Sequence, residues 1–222
     1  MTHDPSSRAR LTRHCDLHFE GHTLFDEVGR VVCGAQCLPR KELYESWEFA
    51  RRVRRRLKGG RVVDMACGHA LVALLLLLLD ERSESALGVD VRLPPSATKL
   101  RAAFEARWPR LEGRLQLVRG SLMELPLEAT DTVVSAHACG SLTDLVLTRA
   151  IAVGANVAVL PCCHSDAKCD AGGLRGWLDS ALAIDVTRAH RLRASGYRIV
   201  TQHIPETITP KNRLLIGIAP GH

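Results

Sequence analysis

Residues 61–80, RVVDMACGHALVALLLLLLD, constrain the fold more than any other part of the chain. Two valines lead to an acid, Asp64, and a turn of small residues then enters a long apolar run. This order is typical of a buried strand, a tight turn and a buried helix. In open α/β sheets a ligand binds at the carboxyl end of such a strand, where small residues let the backbone approach it closely.

The size and composition of the chain limit the structural classes to which it can belong. Its 222 residues, 46% of them hydrophobic, suffice for one well-buried α/β domain with a small extension. The apolar run at 71–79 is about half as long as a membrane-spanning helix, so no membrane segment is expected. The polar N-terminus shows no secretory signal, and the eight cysteines then favour a reducing, cytoplasmic location.

A second acid follows the opening stretch at a characteristic distance. Residues 86–91 form a predicted strand that contains Asp90 near its end, about 20 residues after Gly68. An acid at the tip of the second strand accepts hydrogen bonds from the ribose hydroxyls of a nucleotide-type cofactor. Asp64 and Asp90 together therefore predict a cofactor site at this edge of the sheet.

The remainder of the chain alternates predicted helices and strands. Helices are expected at 39–58, 96–107, 141–153 and 174–194, and strands at 115–119, 132–136 and 156–160. Ser141 and Asp144 are predicted to cap the helix at 141–153. The last two strands, 197–204 and 213–218, are joined by a connection too short for a parallel crossover, so they should pair as an antiparallel hairpin. The chain is predicted to be a doubly wound α/β protein.

Residues 1–38 show no sustained periodicity of hydrophobic residues. We expect them to form an N-terminal arm or cap, with a short strand at 28–32, and residues 39–222 to form the main domain.

Several motifs resemble known families. D-x-x-C-G-x-G, with Ala70 at the last glycine position, resembles motif I of the class I S-adenosylmethionine (SAM) methyltransferases. Ala70 is expected to avoid positive φ, which favours glycine. H-x-C-G-x-x-T-D at 137–144, C-C-H at 162–164 and TPKN at 209–212 are similar to motifs of a tRNA ribose 2′-O-methyltransferase family that acts on the acceptor stem.

The resemblance implies a Rossmann-like, seven-stranded class I methyltransferase sheet, mostly parallel with a C-terminal antiparallel hairpin, and SAM as cofactor. Ser121 stands at or beside the place where the family often carries an acid that contacts the adenine amino group. The residues that the resemblance assigns to the cofactor are Asp64, Ala66, Cys67, Gly68, Asp90, Ser121, Leu122 and His137.

Three chemistries are open for the turns after the fourth and fifth strands, whose expected catalytic residues are His137, Cys139 and His164. Ribose O-methylation needs a base, which either histidine supplies. C5-methylation of a pyrimidine needs a thiolate that attacks C6, and Cys139 and Cys162 match this by position. A zinc site is the third option, and its candidate ligands are Cys162, Cys163, His164 and Cys169, with Cys33 and Cys37 completing it.

The charge balance favours an anionic partner. The net charge is +6, and six cations crowd the predicted helix end at 51–58: Arg51, Arg52, Arg54, Arg55, Arg56 and Lys58. A phosphate contact explains this run, as does a solvated surface. The expected function is a SAM-dependent methyltransferase acting on RNA. The alternatives are a small-molecule or protein acceptor, or a non-catalytic RNA- or metal-binding protein on the same fold.

Overall fold

A seven-stranded sheet with the strand order β3-β2-β1-β4-β5-β7-β6 forms the centre of the computed structural model, which describes residues 4–221. Neighbouring strands from β3 to β5 pair in parallel, whereas β7 is antiparallel to both β5 and β6. The strands are β1 (Val62–Met65), β2 (Ala86–Asp90), β3 (Leu115–Arg119), β4 (Thr132–Ser135), β5 (Asn156–Val159), β6 (Arg198–His203) and β7 (Arg213–Ile218). The predicted fold class is confirmed, including its C-terminal hairpin.

Helices cover both faces of the sheet. They are α1 (Leu24–Ala35), α2 (Arg40–Arg54), α3 (Leu71–Leu79), α4 (Ser96–Arg107), α5 (Ser141–Val153) and α6 (Ser180–Ala194), with 3₁₀ turns at Arg13–His18, Pro109–Leu111 and Leu174–Gly176. Strand side chains alternate between two cores, because successive residues of a strand point to opposite faces. Val62 and Val134 join the core beneath α1 to α4. Val63 and Val133 join the core beneath α5 and α6.

The leucine-rich helix α3 is buried along nearly its whole length, as its sequence predicts. Every residue from Leu71 to Leu78 is buried, between α2, α4 and the sheet. No helix within residues 4–221 is long and apolar enough to cross a membrane.

The expected strand at 28–32 is wrong, because these residues lie within α1. Thr23 begins this helix with a capping box, in which its hydroxyl accepts the Asp26 N–H and the Asp26 carboxylate accepts the Thr23 N–H. Val28 and Val32, one turn apart, are both buried against the core. A helical spacing of apolar residues thus prevailed over the β propensity of valine. The described part of residues 1–38 packs on α2 and α4.

Two helix boundaries and one predicted helix cap also differ from the prediction. Helix α2 ends at Arg54, so the second half of the basic run lies in the turn that follows. Helix α6 begins at Ser180, after Asp179 caps it by accepting the Leu182 N–H at 3.0 Å. Ser141 and Asp144 form no cap on α5. The Asp144 carboxylate instead accepts two hydrogen bonds from Arg188, each 2.9 Å long.

Candidate active site

Asp64 lies at the carboxyl end of β1, in the centre of the sheet. Its side chain is buried, and one carboxylate oxygen accepts the Ala73 N–H in the first turn of α3 at 3.3 Å. Burial is the main reason that the pKa of Asp64 rises to about 8; the Ala73 N–H opposes the rise, and the nearby charges of Asp90 and Glu42 add to it. A positively charged neighbour would therefore stabilise the ionised form of Asp64.

The turn after β1 holds two alanines in backbone conformations that favour glycine. Ala66 has φ 58° and Ala70 has φ 57°. The expectation that Ala70 avoids positive φ is therefore wrong. Ala70 begins α3 in the left-handed region, which costs a non-glycine residue about 1 kcal/mol. The turn adopts this backbone path although alanine, and not glycine, stands at both positions.

Asp90 and Gly68 meet across the first and second strand ends. The Gly68 N–H donates to one oxygen of Asp90 at 3.0 Å, and the Arg92 N–H donates to the other oxygen at 2.8 Å. Gly68 has φ +53°, and a Cβ built on it would meet nothing within 4 Å. The backbone is therefore bare at this point, and the carboxylate that it orients retains lone pairs for a ligand.

Glu42 and His137 face this edge from α2 and from the turn after β4. Burial raises the pKa of Glu42, while the charge of His137 opposes the rise. Nε2 of His137 is buried and has no hydrogen-bond partner among residues 4–221. Such an orphaned ring nitrogen is a ready donor or acceptor for a bound molecule. Of this pair, only His137 stands among the residues assigned from sequence.

The remaining predicted cofactor residues have local structural partners. The Cys67 side chain is buried beneath the turn, near Gly88 of β2. The backbone N–H of Cys67 donates to the Val89 carbonyl. Ser121 accepts the Met123 N–H at 3.2 Å in the turn after β3. Leu122 is buried in the core beneath α5 and α6.

The turns after β4 and β5 come together, as their positions in neighbouring parallel strands predict. The Gly140 N–H donates to the Cys163 carbonyl at 3.2 Å, and the sulfur atoms of Cys139 and Cys162 lie 3.0 Å apart. Thr143, from the same motif as Cys139, donates its hydroxyl to the Ala138 carbonyl at 2.6 Å and so fixes the first turn. Burial raises the pKa of both paired thiols.

The sulfur atoms of Cys139, Cys162 and Cys163 lie within 4.8 Å of one another. This group differs from the predicted zinc ligands. Cys169 is buried and accepts a hydrogen bond from Arg188 at 3.6 Å, and the His164 ring contacts Asp185 instead. Cys33 and Cys37 are buried in the core beneath α1 to α4 and do not join the thiol group. Two of the four predicted ligands therefore belong to one cluster, which Cys139 completes.

His164 belongs to a buried network of charged groups. Its Nε2 lies 2.8 Å from the Asp185 carboxylate, and its Nδ1 is buried without a hydrogen-bond partner among residues 4–221. Arg213 donates to the other Asp185 oxygen at 2.7 Å. Burial alone would raise the pKa of Asp185, but hydrogen bonds from His164 and Arg213 hold it below its ordinary value. The carboxylate is thus kept charged and orients the imidazole.

Arg188 connects this network to the turn after β4. Its side chain is 2% exposed and bonds Asp144, Asp185 and the Gly140 carbonyl. The sequence does not indicate that Asp185 and Arg188 belong to this site, because both lie on α6, outside the motifs. Their three-residue spacing on one helix face carries no signal of a functional pair by itself.

An apolar cavity of about 230 Å³ adjoins this network, between α6 and the C-terminal hairpin. Pro161, Asp185 and Arg213 are among its lining residues. The cavity opens beside the turn that carries Cys162 and His164, so it borders the edge of the sheet where the chemistry is expected.

Solved structures share this architecture. The chain is 17% identical to the SAM-dependent methyltransferase SibL, with a TM-score of 0.53 over 95% of this chain and 66% of that one. A protein of the NADB-Rossmann superfamily from Streptococcus agalactiae is 18% identical, with a TM-score of 0.52 over 78% of this chain and 68% of its own. These identities establish the fold alone. No curated protein matches the sequence significantly.

The edge around Asp64 suits a cationic nucleotide cofactor. Asp64, Asp90 and Glu42 are three acids whose mutual repulsion contributes to the raised pKa of Asp64, and the positive sulfonium and ammonium groups of SAM would relieve it. The bare Gly68 turn leaves room for the nucleoside beside Asp90. When bound, SAM supplies an electrophilic methyl group.

A family model described as "Methyltransferase domain" matches residues 40–197, which include β1 to β5 and the turns that follow these five strands. Methyltransferases with this sheet take their methyl group from SAM. The chain is therefore a member of this methyltransferase family and an enzyme whose methyl donor is S-adenosylmethionine.

Proposed function

We propose that this enzyme methylates RNA, at a ribose 2′-hydroxyl or on a base. The observation that carries the proposal is Trp177, whose side chain is 89% exposed. It lies in the segment between β5 and α6, downstream of the C-C-H turn. We call the sheet edge formed by the turns after β4 and β5 the acceptor edge. A solvent-exposed aromatic ring beside this edge suits stacking on an unpaired base, which is worth about 1–3 kcal/mol.

The segment that carries Trp177 folds back towards the C-C-H turn. Arg175 donates to the Asp166 carbonyl at 2.6 Å, and the Ser180 hydroxyl bonds the Asp166 carboxylate. Asp166 follows His164 by two residues. These contacts support a location of Trp177 close to the turn where the methyl acceptor would enter.

His164 is the best-supported base for a hydroxyl acceptor. Asp185 contacts one ring nitrogen, and the other is buried and has no hydrogen-bond partner among the described residues, so it can accept a proton. An acid that orients an imidazole in this way is a recurring arrangement in proton transfer. Positioning of the acceptor next to SAM would supply most of the remaining rate enhancement. His137, beside Glu42, fits a role at the cofactor side of the same edge.

Attack by a cysteine thiolate is less well supported. A nucleophilic cysteine needs a lowered pKa, usually from a neighbouring cation or a helix N-terminus. Burial instead raises the pKa of Cys139 and Cys162. The raised pKa values of these thiols therefore favour a base-assisted transfer to oxygen or nitrogen over C5-methylation.

The basic run is a secondary contact in this proposal. Arg51 and Arg52 pair with Glu48 of the same helix. Arg54, Arg55 and Arg56 are exposed and make no ion pair within residues 4–221. Because Glu42 and Arg54 are separated by about 18 Å along α2, an RNA that contacts both ends must extend over the length of this helix.

The cofactor residues predicted from sequence stay part of the proposal. Glu42 joins them because it lies over the same edge. The proposed cofactor residues are Asp64, Ala66, Cys67, Gly68, Asp90, Ser121, Leu122 and His137, of which Cys67 and Leu122 act through backbone position and packing. The eight free cysteines support a cytoplasmic location, and the start of the family match at residue 40 supports the division into residues 1–38 and 39–222.

The proposal is tested by incubating the purified enzyme with radiolabelled SAM and, in parallel, total RNA, proteins and metabolites. We expect label in the RNA fraction, and a Trp177→Ala variant that keeps its SAM affinity but labels RNA at least tenfold more slowly at limiting RNA. The control is Leu17→Ala, which removes another exposed apolar side chain, away from this edge. Label in the protein or metabolite fraction alone would refute an RNA acceptor.

A further inference from the structure

The thiol group formed by Cys139, Cys162 and Cys163 has the composition of a metal site. We propose that these three cysteines bind one Zn²⁺ ion at the carboxyl edge of β4 and β5. Their sulfur atoms lie within 4.8 Å of one another. Tetrahedral zinc with Zn–S bonds near 2.3 Å places its sulfur ligands about 3.8 Å apart, so the group needs only small side-chain adjustments to close around the ion.

The backbone holds the three ligands together without the ion. Parallel pairing of β4 and β5 sets the two turns side by side. The Gly140 N–H bonds the Cys163 carbonyl at 3.2 Å, and the Thr143 hydroxyl bonds the Ala138 carbonyl at 2.6 Å. A site preformed in this way loses less conformational entropy on binding a metal than one assembled from mobile loops.

The adjacent cysteines, Cys162 and Cys163, point into one group in this structure. All three thiols are free, with the Cys139 and Cys162 sulfurs at 3.0 Å, well beyond the length of a disulfide bond. Soft thiolate ligands select zinc over magnesium or calcium. Thiols crowded at a surface, where they cannot pack as apolar residues, are better explained by a soft ion than by core packing.

The site is of the open kind. No fourth histidine, cysteine or acid within residues 4–221 completes the group. Zinc sites with three protein ligands leave the fourth position to water or to a substrate atom, whereas structural sites have four protein ligands. Cys139 and Cys163 are exposed, so the fourth position is accessible from the edge at which the methyl acceptor would enter. Zinc there is independent of whether that acceptor is RNA.

The experiment measures metal binding directly. The full-length enzyme, purified under reducing conditions with added ZnSO₄, is dialysed and analysed for bound metal by mass spectrometry. We expect about one zinc ion per chain. After chelation, titration with Co²⁺ should produce a thiolate-to-cobalt charge-transfer band. Cys139→Ser and Cys163→Ser should each bind zinc at least tenfold more weakly, while the control, Cys15→Ser, should bind it as the parent does.

A second measurement covers the case in which a variant fails to fold. In the parent protein, zinc should protect Cys139 and Cys163 from alkylation by iodoacetamide, as mapped by peptide mass spectrometry, and should leave the alkylation of Cys15 unchanged. Absence of stoichiometric zinc in the reduced parent would overturn the proposal. So would a cobalt band that persists in both serine variants, or equal alkylation with and without zinc.

Discussion

The methyl group of Ala70 fills the space that a side chain at Gly88 would need. A Cβ built at Gly88 would lie 3.0 Å from the Cβ of Ala70 and 3.2 Å from the sulfur of Cys67. In dinucleotide-type folds a glycine at the start of the helix permits close packing on the strand. Here the alanine is on the helix side, and the glycine lies on the neighbouring strand β2. The two positions together keep α3 close to the sheet.

This relationship predicts coupled effects on stability. Gly88→Ala should destabilise the fold by about 1–3 kcal/mol through overpacking, and adding Ala70→Gly should recover part of the loss. Urea denaturation of the two single variants and the double variant measures the coupling. Gly34→Ala, where a Cβ meets nothing within 4 Å, serves as the control and should be neutral or slightly stabilising. Strictly additive effects of the two substitutions would contradict the packing account.

Asp90 should be required for cofactor binding but not for folding. Asp90→Ala removes the carboxylate that Gly68 and Arg92 orient, and the loss of hydrogen bonds to a charged group should weaken binding about 10- to 100-fold. Calorimetry with S-adenosylhomocysteine measures the change. Glu84→Ala, an exposed acid just before the opposite end of β2, should bind as the parent does. If Asp90→Ala bound S-adenosylhomocysteine as tightly as Glu84→Ala does, Asp90 would not belong to the cofactor site.

Asp64 should make stability depend on pH in the cofactor-free protein. Burial raises its pKa from 3.8 to about 8, so between these values the folded state holds a proton that the unfolded state has lost. The parent therefore loses stability as pH rises through this window, by at most about 1.4 kcal/mol per pH unit. Asp64→Asn should avoid this loss. The stability of Asp64→Asn relative to the parent, measured by urea denaturation, should increase from pH 5 to pH 8. A stability difference that stays constant over this range would contradict a raised pKa of Asp64.

Arg188 should be a major contributor to stability. Its buried guanidinium pairs with Asp144 and Asp185. Burial would lower its pKa, but the bonds to Asp144 raise it overall, so the group remains charged. Arg188→Met would leave the partly buried carboxylates of Asp144 and Asp185 without this partner and should cost about 3 kcal/mol. Arg193→Met, on an exposed face of the same helix, should change stability by less than about 0.5 kcal/mol. Similar unfolding midpoints for both variants would refute this assignment.

His164 should affect catalysis rather than cofactor affinity. Loss of a general base typically lowers the rate by about 10²- to 10⁴-fold, so His164→Gln should lower kcat within this range and leave S-adenosylhomocysteine binding intact. Asp185→Asn should show a smaller loss and an altered pH profile, because the acid acts by orienting the ring. The control is His190→Gln on an exposed position of α6. Unchanged kcat in the His164 variant would transfer the role of base to His137.

The sequence by itself determined the sheet, the buried helix α3 and the edge at which we propose that the cofactor binds. These follow from local signals: apolar strands of four to six residues, an acid at each of two strand tips, and glycines where helices end. The same local reading failed at residues 28–32, because valines fit either a strand or one face of a helix and only the packing of α1 on α2 and α4 decided between them.

Only the tertiary structure decided which side chains meet at the acceptor edge. Asp144 resembles a helix cap in sequence, yet it pairs with Arg188, which is 44 residues away. Asp185 orients His164 from a separate helix. The three clustered thiols come from two strand ends, and Cys169 is excluded from them. Contacts between distant segments depend on the global path of the chain, which local periodicity does not encode.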